Sequence, residues 1–362
     1  MRILLVASYT INMMPYVRTY TDILNKLGID YDVIQWDRFK NHELVQDENI
    51  YTFGEKCSLG GDRIKKIVPY IHFRKSVVYL IKKNNYSNVI VFNTLPAIFI
   101  IDYLVRGFYK KFIFDYRDYS YEKYSFYKML VNYIVDKSYA TVISSKGFLK
   151  FIDYKKNVYV SHNISNCGES YNTAVDLAKA NITIGFVGLV RYDNENKNLI
   201  DQLKNHHTYK LLYVGKKYIE STIEEYCKNE GITNVKFSGE FKNEDKPKIY
   251  EEIDIINAIY GNETYEVTTA LPNKLYDCLI FKRPMIVSSG TYLAEIVKKY
   301  NLGIAVDKDD DILNKLEYYI QTFDKDIFIS GIEELFSQIN KDIDNNRDMI
   351  ERFLLNGKVS KR

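Results

Sequence analysis

The chain has few cysteines, and none is spaced for pairing or for a metal knuckle. Four occur in 362 residues, Cys57, Cys167, Cys227 and Cys278, with no C-x-x-C among them. Reduced thiols in a cytosolic protein are therefore the expectation, and no disulfide framework is. Histidine is equally sparse, and His42, His72, His162, His206 and His207 show no H-E-x-x-H spacing, so no metal site is expected. Net charge is almost absent: 50 Lys and Arg against 47 Asp and Glu leave +3, which argues against a nucleic-acid binder. Long apolar runs are missing too. Met1 to Ala7 is too short in its apolar part for a signal peptide, and Val89 to Val105 is interrupted by Asn93, Pro96 and Asp102, so no membrane span is expected. The chain lacks a G-x-G-x-x-G after its first strand, a G-x-x-x-x-G-K-[ST] loop and a G-x-S-x-G elbow. Dinucleotide oxidoreductases, P-loop NTPases and serine hydrolases all lose support.

What is present is alternation. Up to about Asn163, short β-rich runs alternate with longer helical ones, the pattern of a parallel sheet with crossover helices. The expected strands are Ile3 to Ala7, Tyr31 to Gln35, Val89 to Phe92, Lys111 to Asp115, Ala140 to Ser144 and Val158 to Val160. Tyr16 to Leu27 carries apolar residues at helical spacing and stops at Gly28, while Phe39 to Arg63 reads as an irregular loop. A turn-rich segment then separates a second alternation: Ile182 to Val187, Lys210 to Val214, Val235 to Phe237, Ile253 to Ile259, Met285 to Val287 and Ile304 to Val306. The division expected is 1–165, a linker at 166–180, a second domain at 181–335, and a helix and tail at 336–362 amphipathic enough to cross back.

The stretch with most chemistry is Leu271-Pro272-Asn273-Lys274-Leu275-Tyr276-Asp277, followed by Pro284 and the apolar Met285-Ile286-Val287. A cation and a carboxylate three residues apart at a helix start, just before a buried strand, can face one ligand that carries phosphate and hydroxyl groups; a surface ion pair would look the same. Earlier, Gly185-Phe186-Val187-Gly188-Leu189-Val190-Arg191 ends a strand with glycines that admit a phosphate closely, and Arg191 and Lys197 can neutralise it. Gly215 and Gly239 end the next two strands and suggest a floor for a flat base. In the first half, Asp115-Tyr116-Arg117-Asp118 gathers charge at a strand end, either as a structural ion pair or as a carboxylate orienting an acceptor hydroxyl.

In this order, strand-Gly-x-x-Arg, strand-Gly, Val-x-Phe-x-Gly, Pro-Asn-Lys-Leu-Tyr-Asp and Pro-Met-Ile-Val, the chain resembles the GT-B glycosyltransferases, family 4-like, of bacterial capsule and surface-polysaccharide synthesis. The resemblance implies an α/β fold of two Rossmann-like domains facing a central cleft. It implies a nucleotide diphosphate-sugar donor, no cofactor, no metal, and retaining transfer to a glycan or lipid-linked oligosaccharide. Arg191 and Lys274 would contact the donor diphosphate, with Lys197 sharing that role. Gly188, Gly215, Gly239 and Asn273 would line the donor site, and Asp277 would hold the ribose hydroxyls. Asp118 or Asp115 would serve the acceptor. The family carries a Glu where this chain has Thr269, and Glu263 and Glu266 are the nearest carboxylates that could replace it.

Two further expectations concern partners. Lys65-Lys66, Arg74-Lys75 and Lys82-Lys83, interleaved with apolar residues, suit an anionic lipid surface and a protein peripheral to the cytoplasmic membrane, although an ordinary helix with solvated lysines fits as well. A nucleotide-sugar 2-epimerase and a non-catalytic partner of another glycosyltransferase are the rival readings, the second kept open by Thr269.

Overall fold

The computed structural model describes residues 1–39, 47–57, 63–164, 176–218 and 221–359, with backbone alone at 63–65 and 356–359. Two compact units divide the chain: residues 1–162 with 341–362, and residues 163–340. Most of the expected linker, and Cys167, lie outside the described residues.

The first unit is a seven-stranded parallel sheet. Its strands are β1 (Arg2–Ala7), β2 (Asp30–Trp36), β3 (Ile50–Phe53), β4 (Asn88–Phe92), β5 (Phe112–Tyr116), β6 (Ala140–Ile143) and β7 (Val158–Val160), in the order β3-β2-β1-β4-β5-β6-β7. Successive side chains point to opposite faces of a strand, so both faces are apolar and each takes its own helical layer. Leu4, Val6, Val89, Val91, Phe112 and Phe114 face one side with α2 (Arg63–Lys83), α3 (Thr94–Phe99), α4 (Ile101–Gly107) and α5 (Ser125–Lys137). Ile3, Leu5, Ile90, Phe92, Ile113 and Val142 face the other, against α1 (Arg18–Lys26). The same cluster takes Met349, Ile350, Phe353 and Leu354 from the chain's last helix, Lys325–Val359. Strand β3 lies inside the stretch expected to be loop. It is a short edge strand paired with β2 from Val33↔Ile50 to Trp36↔Phe53, and its half-exposed residues give no clear alternation to read.

The second unit holds β8 (Ile182–Val187), β9 (Tyr209–Val214), β10 (Val235–Phe237), β11 (Ile255–Ala258), β12 (Met285–Ser288) and β13 (Gly303–Val306), parallel throughout and ordered β10-β9-β8-β11-β12-β13. The helices, in sequence, are α6 (Asp193–Leu203), α7 (Ile223–Asn229), α8 (Lys246–Glu251), α9 (Tyr265–Thr269), α10 (Asn273–Phe281), α11 (Tyr292–Lys299) and α12 (Ile312–Thr322), before α13 (Lys325–Val359) runs on into the first unit's residues. Both sheets are thus of the doubly wound, Rossmann-like kind. Lys282 closes α10 in the left-handed conformation at φ 52, and the Arg283 guanidinium caps buried carbonyls of Tyr250 and Ile253. Among the described residues no helix is long and apolar enough to cross a membrane.

Candidate functional site

In the second sheet the strand order reverses between β8 and β11, and the crevice beyond the carboxyl ends at such a switch point is where open parallel sheets take ligands. A cavity of about 370 Å³ opens there, with Phe186, Gly188, Arg191, Tyr260, Glu266 and Lys274 in its wall. Asn273 and Lys274 open α10, which has no side-chain cap and whose positive dipole end favours an anion. Asn273 lines the same cavity, and its Oδ1 accepts from Asn163 Nδ2 at 2.8 Å.

Lys274 is only 6 % exposed. Its Nζ donates to Tyr260 Oη at 3.0 Å and lies 3.6 Å from the centre of the Phe186 ring. Burial pushes this ammonium down to about 7, Asp277 pulls it back up, and Lys246 and Arg191 push it down further. Arg191 is half exposed, lies over Tyr192 at 4.7 Å and comes within 3.8 Å of Glu266 Oε1. So loose a pair in water contributes little, which leaves the guanidinium available to a bound anion.

The glycines divide by role. Gly188 sits at φ 132, a conformation L side chains rarely adopt, while a Cβ there would meet Lys274 Nζ at an ordinary contact distance of 3.7 Å, so the glycine serves the turn rather than room for the cation. Gly215, at φ 141, would drive a Cβ to 1.8 Å from Gly188 O. Its N–H donates to Gly239 O at 2.6 Å, and neither Gly215 nor Gly239 is in the cavity wall. The expected floor for a base is here a seam that docks three strand-end loops onto one another, with Val190 bridging to Lys217.

Other expected residues sit apart from the cavity. Lys197 Nζ donates to Thr222 Oγ1 at 2.9 Å and lies over the Tyr226 ring. Both Asp277 oxygens are bonded, to Lys246 Nζ at 2.8 Å and to Tyr250 Oη at 2.8 Å, and the carboxylate is 5 % exposed rather than open to a ribose. Thr269 is buried, its hydroxyl donating to Tyr265 O at 2.6 Å. Of its two suggested substitutes, Glu266 shares the cavity with both cations, while Glu263 lines a neighbouring one of about 480 Å³.

In the first unit Asp115 has no exposed surface. It accepts from Arg117 Nε at 2.6 Å and Tyr20 Oη at 2.6 Å, and Arg117 in turn donates to Ser161. That network holds β5 to β7 and corrects the expectation that Asp115 meets an acceptor. Asp118, just beyond, is exposed at the ligand edge. There, Asn93 follows β4 at φ 67, its Nδ2 donating to Ser8 Oγ at 3.1 Å and its buried Oδ1 without a hydrogen-bond partner among the described residues.

Sequence reading missed Asn196. Fully buried in α6, it donates from Nδ2 to Arg191 O at 3.1 Å and Tyr192 O at 2.9 Å, and accepts at Oδ1 from Tyr213 Oη and Asn257 Nδ2. An asparagine in a polar helix start carries no period or motif that would have marked it.

Residues 181–322 match the family model described as Glycosyl transferases group 1, and that stretch is the domain of a transferase. Solved structures with the same two-domain GT-B fold cover nearly all of the chain. Anabaena Alr3699/HepE in complex with UDP aligns at TM-score 0.69 and 12 % identity over 97 % of this chain and 100 % of that one. A glycosyltransferase from Rickettsia africae ESF-5 aligns at 0.68 and 15 % over 98 % of each. Sucrose-phosphate synthase from Thermosynechococcus elongatus aligns at 0.66 and 13 % over 99 % and 98 %. No curated protein matches the sequence.

Proposed function

We propose that the chain transfers a sugar from a nucleotide diphosphate-sugar to a glycan or lipid-linked oligosaccharide in bacterial surface-polysaccharide synthesis, retaining and metal-independent as its family resemblance implies. The observation that carries this is the convergence of Arg191, Lys274 and the α10 N-terminus on one cavity at the switch point of the second sheet. In the reaction the bond from the anomeric carbon to the diphosphate oxygen breaks and the acceptor oxygen replaces it. The acceptor's proton leaves with the diphosphate. Negative charge grows on the departing group, and two fixed cations with a helix dipole stabilise it most when it is greatest. Glu266, 3.8 Å from Arg191 in the same cavity, would meet the transferred sugar. The first unit would take the acceptor near Asp118 and Asn93, and the basic face of α2 would hold the protein at the cytoplasmic side of the membrane.

A thermal-shift panel of UDP-, GDP- and dTDP-sugars, followed by mass spectrometry of the best donor with lipid-linked acceptors, tests the reading. Stabilisation by one donor class and a product heavier by one sugar are expected. No shift with any donor would leave the non-catalytic partner, which Thr269 in place of a carboxylate favours. A changed sugar without acceptor would point to epimerisation.

A further inference from the structure

A helix that packs on a sheet ordinarily turns polar residues outward, and two helices of the first unit turn large apolar ones outward as well. Helices α2 and α5 bury Phe73, Val77 and Leu80, and Val131, Ile134 and Val135, in the same core cluster. Their outer faces therefore point away from the same side of the sheet. On α5 that face shows Phe126, Met129 and Tyr133 at 68, 57 and 45 % exposure, spaced i, i+3, i+7 along one stripe. On α2 it shows Ile67, Val68, Ile71 and Tyr79. Tyr109 and Tyr124 flank the stripes. Away from this layer the first unit leaves only Met13, Phe39, Tyr154 and Leu355 as large exposed apolar side chains among the described residues.

Positive charge is in excess on the layer. No Asp or Glu occurs between Arg63 and Lys83, and Lys75, Lys82 and Lys83 are exposed. The nearby carboxylates are paired or buried: Arg74 takes both oxygens of Asp102, at 2.6 and 2.7 Å, Lys137 pairs with Asp136 at 2.7 Å, Lys128 with Asp153 at 3.0 Å, His72 meets Glu55 at 2.9 Å, and Glu122 is buried. The lysines stand beside the aromatics, Lys83 at 5.6 Å from the Tyr79 ring, Lys123 at 5.2 Å from Tyr124 and Lys137 at 5.5 Å from Tyr133. Rings and ammonium groups interleaved on an apolar stripe match the boundary between acyl chains and anionic headgroups.

We infer that the outer face of α2 and α5 is a docking surface for an anionic lipid bilayer, with Phe126, Met129 and Tyr133 entering the headgroup boundary and the lysines meeting the phosphates. A second copy fits less well, since a twofold contact through this face would set like-charged lysines against one another. The inference deepens the membrane contact of the reading above, and in that part rests on it, but it owes nothing to the donor cavity.

Co-sedimentation of the full chain with vesicles of phosphatidylcholine, alone or mixed with phosphatidylglycerol, tests it. Anionic vesicles should bind at least about tenfold more protein, and added salt should release it. The variants F126S/M129S and K75Q/K82Q/K83Q should each lose roughly tenfold of that binding, with melting temperature and donor-induced thermal shift unchanged. Absent or charge-independent binding overturns the inference, as do variants that bind like the parent, or a dimer in light scattering that F126S/M129S dissociates. Should no donor bind while the vesicles still do, the sugar-transfer reading falls and the docking face stands.

Discussion

The Lys274 ammonium rests 3.6 Å from the centre of the Phe186 ring and donates to the Tyr260 hydroxyl at 3.0 Å, so two aromatic residues hold it. Among the described residues no carboxylate pairs with it. A ring face attracts the charge but cannot neutralise it, and the buried cation is left short of an anion. Such a group is poised to gain more from a diphosphate than a solvated lysine would.

Its titration gives the first prediction. Lys274 is pushed down to about 7, so the free enzyme loses this charge as pH rises through neutrality. Donor kcat/KM, which reports the free enzyme, should fall above about pH 7, and Lys274→Arg should flatten that limb because guanidinium stays charged. Stability should move the other way. Between the folded value near 7 and the ordinary lysine value of 10.5 the unfolded chain binds the extra proton, so unfolding free energy rises with pH across that window. Parallel pH profiles of kcat/KM and of urea midpoints check both signs, and an unchanged limb in the arginine variant would sink the assignment.

Removing the cation gives the second. Lys274→Met keeps an unbranched apolar side chain over Phe186 while deleting the charge and the bond to Tyr260, so turnover should drop by roughly 10²–10³ with a much smaller change in KM. Steady-state kinetics on the best donor separates the two. A loss confined to KM would mean that the lysine serves ground-state binding only.

Much of this was legible beforehand, and the exceptions have physical causes. Buried parallel strands such as Val89 to Phe92 and Met285 to Val287 announce themselves as short apolar runs, and Lys274 stands out as a cation three residues before a carboxylate at a helix start that Pro284 and a buried strand follow. Spacing, however, does not say where a side chain's partners are. Lys246 and Tyr250 claim Asp277 from 31 and 27 residues away, and Asp115 is claimed by Tyr20 from 95. Local sequence carries no trace of such contacts. Gly215, expected to floor a base, instead makes its close approach to Gly188 O, a contact between loops that strand-end glycines alone do not announce.

The third prediction follows from that claim on Asp277. With both oxygens bonded, Asp277→Asn should lower the unfolding free energy by about 1–3 kcal/mol, the cost of weakening buried hydrogen bonds to a charged group. Donor affinity should change less than roughly tenfold, since the indirect loss is well under one direct charged contact. Urea denaturation beside donor titration decides it. A large affinity loss at unchanged stability would restore the ribose contact.

The fourth concerns Asn196, which joins the two loops that flank the cavity. Its amide holds the carbonyls of Arg191 and Tyr192, where Tyr192 sits left-handed at φ 68. Its oxygen holds Asn257, whose own oxygen accepts from Ile259 N at 3.0 Å, one residue before Tyr260. One side chain thus ties the loop that presents the guanidinium to the loop that presents the partner of Lys274. Asn196→Ala leaves the Tyr213 hydroxyl and the Asn257 amide without their buried acceptor, a loss of about 1–3 kcal/mol. A merely structural residue would stop there. If Asn196 positions Arg191, a small shift of the guanidinium weakens its hold on the transition state, and kcat should fall about tenfold beyond the stability loss with KM nearly unchanged. Asn196→Asp, which keeps the acceptor oxygen but faces a carboxylate toward two carbonyls, should retain the Tyr213 and Asn257 bonds and still lose kcat. Wild-type turnover in the aspartate variant would show that the Arg191 turn holds itself.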